Sequence, residues 1–560
     1  VRRRRFLQGA LGLLGGSAGA AGLPHFPERG GSLQEDSGEG LLERLGLSRG
    51  KGIAGGFVGQ EVERGHLLRE LRELPPPAET RRTDVAIVGA GIAGLAAARA
   101  LQRGGVEDYR LFELEDEAGG NSRGGEVAGF ACPWGAHYLP LPGPHAEEVA
   151  ELLGEYGLRR EAQGRVRYEE LHLCHSPQER LYLAGGWQEG LLPLRGQDQA
   201  TLAEYRRFAA LVREASRPLA FTIPTAASRW DQTLAALDGQ SFAAWLDAQD
   251  LHAPALRWYL DYCCRDDYGA GAAQVSAWAG LHYFASRHGF DVPGDGEDPD
   301  RDALLTWPEG NTWLARRLAA PHAQRTQAGS LVLRVEEGRD GVTLDVLQLP
   351  QRRLVRWTAQ RAILALPLFL AARLLVNPPP ALREAAQRLP RAPWLVANLY
   401  VDRPLLEHQF QAPLSWDNVI YGSPHLGYVD AMHQSLLPYA DATVLTWYTS
   451  LGNDPGAGRQ ALLGQTWQQW TEAIIADLAA AHPDLRRKLR EVRLMRYGHA
   501  MAIPAPGVRG SAWLAALRQP QGRVAFAHAD LSAYSVFEEA FHWGLAAGSG
   551  TARALHRSGA

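Results

Sequence analysis

The clearest pattern in the chain is a short β-branched run at 84–89, which hands over through a glycine cluster to an Ala/Leu-rich stretch. A continuous apolar run of that length, bounded by glycine, predicts a strand buried on both faces. Residues 92–101 that follow are strong helix formers. A second short run, 110–114, predicts the next strand and carries Glu113 near its end. Strand, helix and strand in succession predict an α/β, Rossmann-type architecture. Further along, apolar residues at helical spacing predict helices over 200–219, 241–262 and 465–480. Strands are expected over 395–401 and 443–448. Near the end, 523–530 reads as a strand closing on an acid, and 537–547 as a helix.

The glycine cluster reads Gly89-Ala90-Gly91-Ile92-Ala93-Gly94. Gly89 permits the tight turn, Gly91 lets the backbone approach a pyrophosphate, and Gly94 lets the helix pack close to the strand. The amides of the helix start, at Ile92 and Ala93, offer unpaired N–H groups and a positive dipole end to phosphate. Glu113, about twenty residues on, fits a ribose hydroxyl pair. A lone glycine motif is weak evidence. Strand, glycines, helix, second strand and terminal acid together make a dinucleotide site.

After Glu113 the chain runs Gly119-Gly120-Asn121-Ser122-Arg123. Here the sequence resembles the flavin-dependent amine oxidase and phytoene desaturase superfamily. The resemblance implies FAD as cofactor. It also implies a glutathione-reductase-like FAD-binding domain with an inserted α+β substrate domain. Gly119, Gly120 and Arg123 then correspond to a segment that wraps the pyrophosphate, with the arginine displaced by two positions. Gly135 and Ala136, in Pro133-Trp134-Gly135-Ala136-His137-Tyr138, resemble the segment under the isoalloxazine ring. Trp307 to Leu314 resembles the family's Pro-x-Gly-Gly segment. Val332 matches a strand valine whose backbone pairs with adenine. At the C-terminal end, Asp530 stands for an acid near the ribityl chain. Val536 and Phe537 open the helix whose N-terminus faces the flavin pyrimidine. The match spans roughly 82–557 and is specific at its two ends.

Composition narrows the partners. The net charge is −4 and no basic run lies outside the first residues, so nothing suggests nucleic acid. The first twenty residues have a basic head, a short apolar middle and Ala18-Gly19-Ala20, as in a signal peptide. Arg3-Arg4-x-Phe6-Leu7 resembles a twin-arginine motif, which implies the twin-arginine export machinery as partner and a periplasmic or secreted location. No later apolar stretch is long enough for a membrane anchor in the mature form. The four cysteines lack metal spacing, and no metal site is expected. The expected division is 1–20 as leader, 21–80 as extension, 81–145, 301–375 and 501–560 as the FAD-binding domain, and 146–300 and 376–500 as the substrate domain. The extension, closing on Pro75-Pro76-Pro77, is expected to be a surface wrap; the alternative is that Gly55 to Gly65, with Phe57 and His66 nearby, close over the cofactor.

Candidate chemistry is thinner. His137 and Tyr138 are the local candidates for catalytic groups, with the imidazole as a base; shaping the pocket is the alternative. Asp266 and Asp267 are adjacent carboxylates that could bind a cation or steer a base; successive residues diverge on a helix, so a joint role needs a loop, and capping or solvation is expected of them. His282 is expected to be a packed histidine. Only Lys51 and Lys488 are present, and neither lies where a lysine holds a water beside the flavin in many amine oxidases. Three functions remain open: an oxidase or dehydrogenase of an amine, amino acid or similar small molecule; a desaturase or isomerase of an apolar substrate; and a non-catalytic flavin-binding protein.

Overall fold

The structure is a computed structural model. It describes residues 52–59, 62–70, 76–216, 220–292, 303–406, 412–435, 441–519 and 522–559. The expected leader and most of the expected extension lie outside the described residues. Two sheets organise the rest.

The first sheet orders its strands Thr326–Gln327, Tyr109–Phe112, Glu79–Val88, Arg353–Leu364, Val342–Gln348 and Ser330–Glu337. Val524–Phe526 pairs in parallel with the end of Arg353–Leu364. Strand Glu79–Val88 is parallel to both neighbours. Its last four residues are fully enclosed, as the unbroken apolar run requires. Helix Ile92–Arg103 covers one face, and the long last helix, Phe537–Gly559, packs on it. That approach needs bare backbone: a Cβ on Gly544 would overlap the Ala93 carbonyl oxygen, and one on Gly548 the Ala97 oxygen. Gly94 is bare for the same reason, since a Cβ there would overlap the Gly89 carbonyl.

The second sheet is mixed and has eight strands, with Leu489–Ala502, Arg391–Val401 and Thr443–Ser450 at its centre. Helices Gln199–Ala215, Phe242–Ala248, Pro254–Tyr268 and Ala277–Tyr283 build an apolar core together with residues of this sheet, among them Val396, Tyr448 and Met495. The architecture is therefore α/β with an added α+β part, as expected from the sequence.

Two details differ from the sequence reading. The helix expected over 241–262 is two helices, because Pro254 lacks an N–H and restarts the chain at a first-turn position. Helix Glu147–Glu155 packs Val149, Leu152 and Leu153 into the core of the first sheet, not into the helical cluster. The described part of the extension is tied to the second sheet. Strand Ala54–Phe57 adds to the edge of the second sheet, parallel to Leu489–Ala502. Among the described residues, no helix is long and apolar enough to cross a membrane, and the four cysteines are free thiols.

Candidate functional site

One continuous cleft of about 500 Å³ runs from the glycine turn of the first sheet to the wall of the second. At its first end Gly89 holds φ +97°, a conformation L side chains rarely adopt. Gly91 caps helix Ile92–Arg103 with no side-chain hydrogen bond, so the first amides of the helix face the cleft. A Cβ on Gly91 would meet only the Gly120 Cα, at 3.8 Å. The two glycines thus leave a gap between bare backbones that a side chain would fill. Gly119 donates its N–H to the Ala90 carbonyl at 2.9 Å and pins this second loop against the first.

Glu113 is buried at the cleft edge. Its carboxylate accepts the N–H of Ala90 at 2.9 Å and of Glu115 at 3.0 Å. Burial pushes this carboxyl up, against the pull of those donors and of Arg123. Each oxygen keeps a lone pair for a hydroxyl. Arg123 lines the cleft, with Nε on the Gly120 carbonyl at 3.3 Å. Val332 lines it farther out, beside Ser330 and Leu331.

Gly135, Ala136, His137 and Tyr138 line the middle of the cleft. A Cβ on Gly135 would overlap the Asn121 carbonyl, so this loop is held flush against the glycine-rich one. Asn311 fixes it by donating to the Tyr138 carbonyl at 2.9 Å, and its buried Oδ1 has no partner. Val536 and Phe537 open the last helix onto the same space. Asp530 lines it too, but its carboxylate is engaged by Arg391 and by the Leu368 N–H. Burial alone would raise this carboxyl; Arg391, then His528 and Leu368, hold it well below the usual range. The sequence-derived residues therefore gather on one cleft, except Gly94, which packs helix against strand.

The far wall was less visible in the sequence. His137 stacks on Tyr448 with ring centroids 4.5 Å apart, and Trp416 meets both His137 and Tyr138. Burial pushes the His137 imidazole down to about 4, so at neutral pH it is an uncharged ring and a weak base. Asp266 and Asp267 both reach the cleft, against the expectation of capping or solvation. They lie in the last turn of helix Pro254–Tyr268, just before the left-handed Gly269, and both line the same space. Burial, then Asp267, pushes the Asp266 carboxyl up to about 7. Arg287 reaches in from the π-helical turn Phe284–His288 and pairs with Glu538 at 2.9 Å. Such turns recur at functional sites, yet nothing in the sequence signalled this one. His282 is a packed histidine, bonded to the Thr222 carbonyl at 2.9 Å. Lys488 pairs with Asp484, outside the cleft.

The extension also contributes. Gly65 and Leu68, on helix Val62–Glu70, line the cleft at the Glu113 end. Arg64 holds Asp116 at 2.8 Å, and Arg373 donates to the Leu68 carbonyl at 2.9 Å.

Residues 92–548 match the model of a family described as flavin containing amine oxidoreductase. An L-amino acid dehydrogenase of Synechocystis sp. is 24% identical over 357 residues, covering 62% of this chain and 70% of that protein. A putrescine oxidase solved with putrescine superposes with TM-score 0.60 at 19% identity, over 85% of this chain and 100% of the other. A fatty acid isomerase from P. acnes does so with TM-score 0.59 at 15% identity, over 83% and 97%. The two solved structures share the fold, and they differ in chemistry. The gap between Gly91 and Gly120, the open helix start and the acceptor-rich Glu113 fit the diphosphate and ribose of FAD. The chain belongs to the flavin-containing amine oxidoreductase family and is an FAD-dependent oxidoreductase.

Proposed function

We propose that this protein oxidises a small amine-bearing donor, an amine or an amino acid, by transfer of hydride to the N5 position of FAD. FAD supplies the electron sink. The chain's own residues bind it, exclude water and orient the donor. One observation carries this reading: the cleft beyond Gly135 and Ala136 is walled by aromatic rings and by the carboxylates of Asp266 and Asp267. An apolar substrate would leave the Asp266 carboxylate desolvated with no counter-charge, which is costly. The names of the dehydrogenase and of the putrescine oxidase agree with a nitrogen-bearing donor. The fatty acid isomerase keeps the apolar alternative in the comparison.

The test is anaerobic. Purified yellow protein is mixed with amines, amino acids, fatty acids and terpenoids, and the flavin band is followed. Bleaching by a nitrogen-bearing donor is expected. Bleaching by apolar donors alone, or by none, would count against the reading. The arginine pair at Arg3 and Arg4 adds export in the folded state; replacing both by lysine should leave the flavoprotein in the cytoplasmic fraction.

A further inference from the structure

Among the described residues, the wall facing the donor holds a carboxylate, Asp266, that no cation pairs with. Arg287 is committed to Glu538, and both side chains are buried. Asp267 accepts the Tyr534 hydroxyl at 2.8 Å. Arg265, the neighbour of Asp266 on its helix, turns away to Asp261 at 3.0 Å and to the Pro424 carbonyl at 2.8 Å. Asp266 has no hydrogen bond or ion pair among the described residues, and the part of it left accessible lies on the cleft. A carboxylate so placed is unfavourable unless something brings a counter-charge.

Aromatic rings share this cleft with the carboxylate. Tyr138 and Tyr448 line it, with the uncharged His137 stacked on Tyr448 and edge-on to Tyr138. Ring faces attract cations, most strongly where water is excluded. An unpaired carboxylate and a set of ring faces make a site for one positive charge. Resting on the reading of an amine-bearing donor, the geometry points to Asp266 as the ionic anchor for the donor's cationic nitrogen, held against Tyr138 and Tyr448. Asp266 then acts as a specificity-determining residue, rejecting anionic and neutral donors of the same shape.

Asp266 is also the group whose titration would show. On its own helix it faces Asp267, Arg265, Tyr262 and Cys263. From other elements it faces Tyr138, Tyr283, Tyr448 and Asp417, with Arg287 beyond Tyr138 and Glu179 beyond Asp417. Burial pushes the tyrosines and the thiol up, so they stay neutral around pH 7. Burial, then Asp266 and Glu179, pushes Asp417 well above the carboxylate range, and Asp417 does not line the cleft. Cation binding should therefore follow ionisation of Asp266 near pH 7 and weaken about tenfold per unit below it.

The probe is tetramethylammonium, a small cation that cannot be oxidised, titrated into the FAD-loaded protein while the flavin spectrum is read. tert-Butanol and acetate serve as neutral and anionic counterparts. The wild type should bind tetramethylammonium in preference to both. Asp266→Asn should weaken it at least tenfold, keep the flavin, and lose the pH dependence between 5.5 and 8.5. Equal affinity in wild type and Asp266→Asn, or acetate bound more tightly than the cation, overturns the anchor. If Asp266→Asn fails to hold FAD, the wild-type profile decides, and a flat one overturns the proposal. A protein bleached by amines whose cation affinity ignores Asp266 defeats only the anchor. One bleached by no amine defeats the amine reading beneath it.

Discussion

Two carboxylates of the cleft, Asp266 half-buried and Asp530 buried, have opposite environments and predict opposite pH behaviour. Asp266 is pushed up to about 7 from an ordinary 3.8. Its folded form binds a proton more tightly than its unfolded form. The stability it contributes is therefore fully present only below about pH 4 and is lost progressively as pH rises to about 7. At about 1.4 kcal/mol per unit the total loss is about 4 kcal/mol. Asp266→Asn should accordingly raise the urea midpoint at pH 8 and leave it almost unchanged at pH 4. Asp530 is held below its ordinary range, so its contribution is present above pH 4 and lost only as pH falls further. That contribution depends on Arg391, which is 5% exposed. Arg391→Met removes one partner of a buried pair and should cost roughly 3–5 kcal/mol in urea unfolding at pH 7. A loss under 1 kcal/mol would mean that Leu368 and His528 suffice to hold the carboxylate.

At the scale of elements, the sequence was legible where one element carries its own signal. Strand Glu79–Val88, helix Ile92–Arg103 and the glycines between them are contiguous, and each local choice agrees with the fold. Pro254 was present in the sequence too, but apolar periodicity ran across it and concealed the break. The extension was harder to read. Helix Val62–Glu70 has little amphipathic pattern, and its place depends on partners fifty and three hundred residues away, Asp116 and Arg373. Leu68 nevertheless lines the Glu113 end of the cleft, where the adenosine half of FAD is expected. The Arg64–Asp116 pair is exposed on the Asp116 side and is worth at most about 1 kcal/mol. Leu68→Asp combined with Arg64→Ala should therefore leave the fold intact and speed FAD release several-fold on dilution. Recovery of free-flavin fluorescence measures this. An unchanged release rate would return the helix to the role of a surface wrap.

Across the whole molecule, the two ends of the cleft differ in how the chain builds them. The FAD end comes from residues 89–94 and 113–123, a local motif. The donor wall brings together Tyr138, Asp266, Arg287 and Tyr448, which are separated by up to three hundred residues and come from different elements. Only folding makes those residues neighbours, so no spacing rule could have assembled them from sequence. The same construction puts the cleft that would hold FAD between the two sheets, with Gly91 and Glu113 on one side and Trp394, Val396 and Tyr497 of the other sheet lining it. A ligand that touches both sheets stabilises both against separation. At a free concentration one hundred times its dissociation constant, FAD should add about 2.7 kcal/mol. It should add this to one cooperative transition, seen alike by tryptophan fluorescence and far-UV circular dichroism. Gly91→Asp places a carboxylate in the gap beside Gly120, where the diphosphate is expected, and should abolish the shift while the apoprotein keeps its own midpoint. Two transitions of which FAD moves only one would show that the sheets unfold separately, and that the cofactor is held by the first sheet alone.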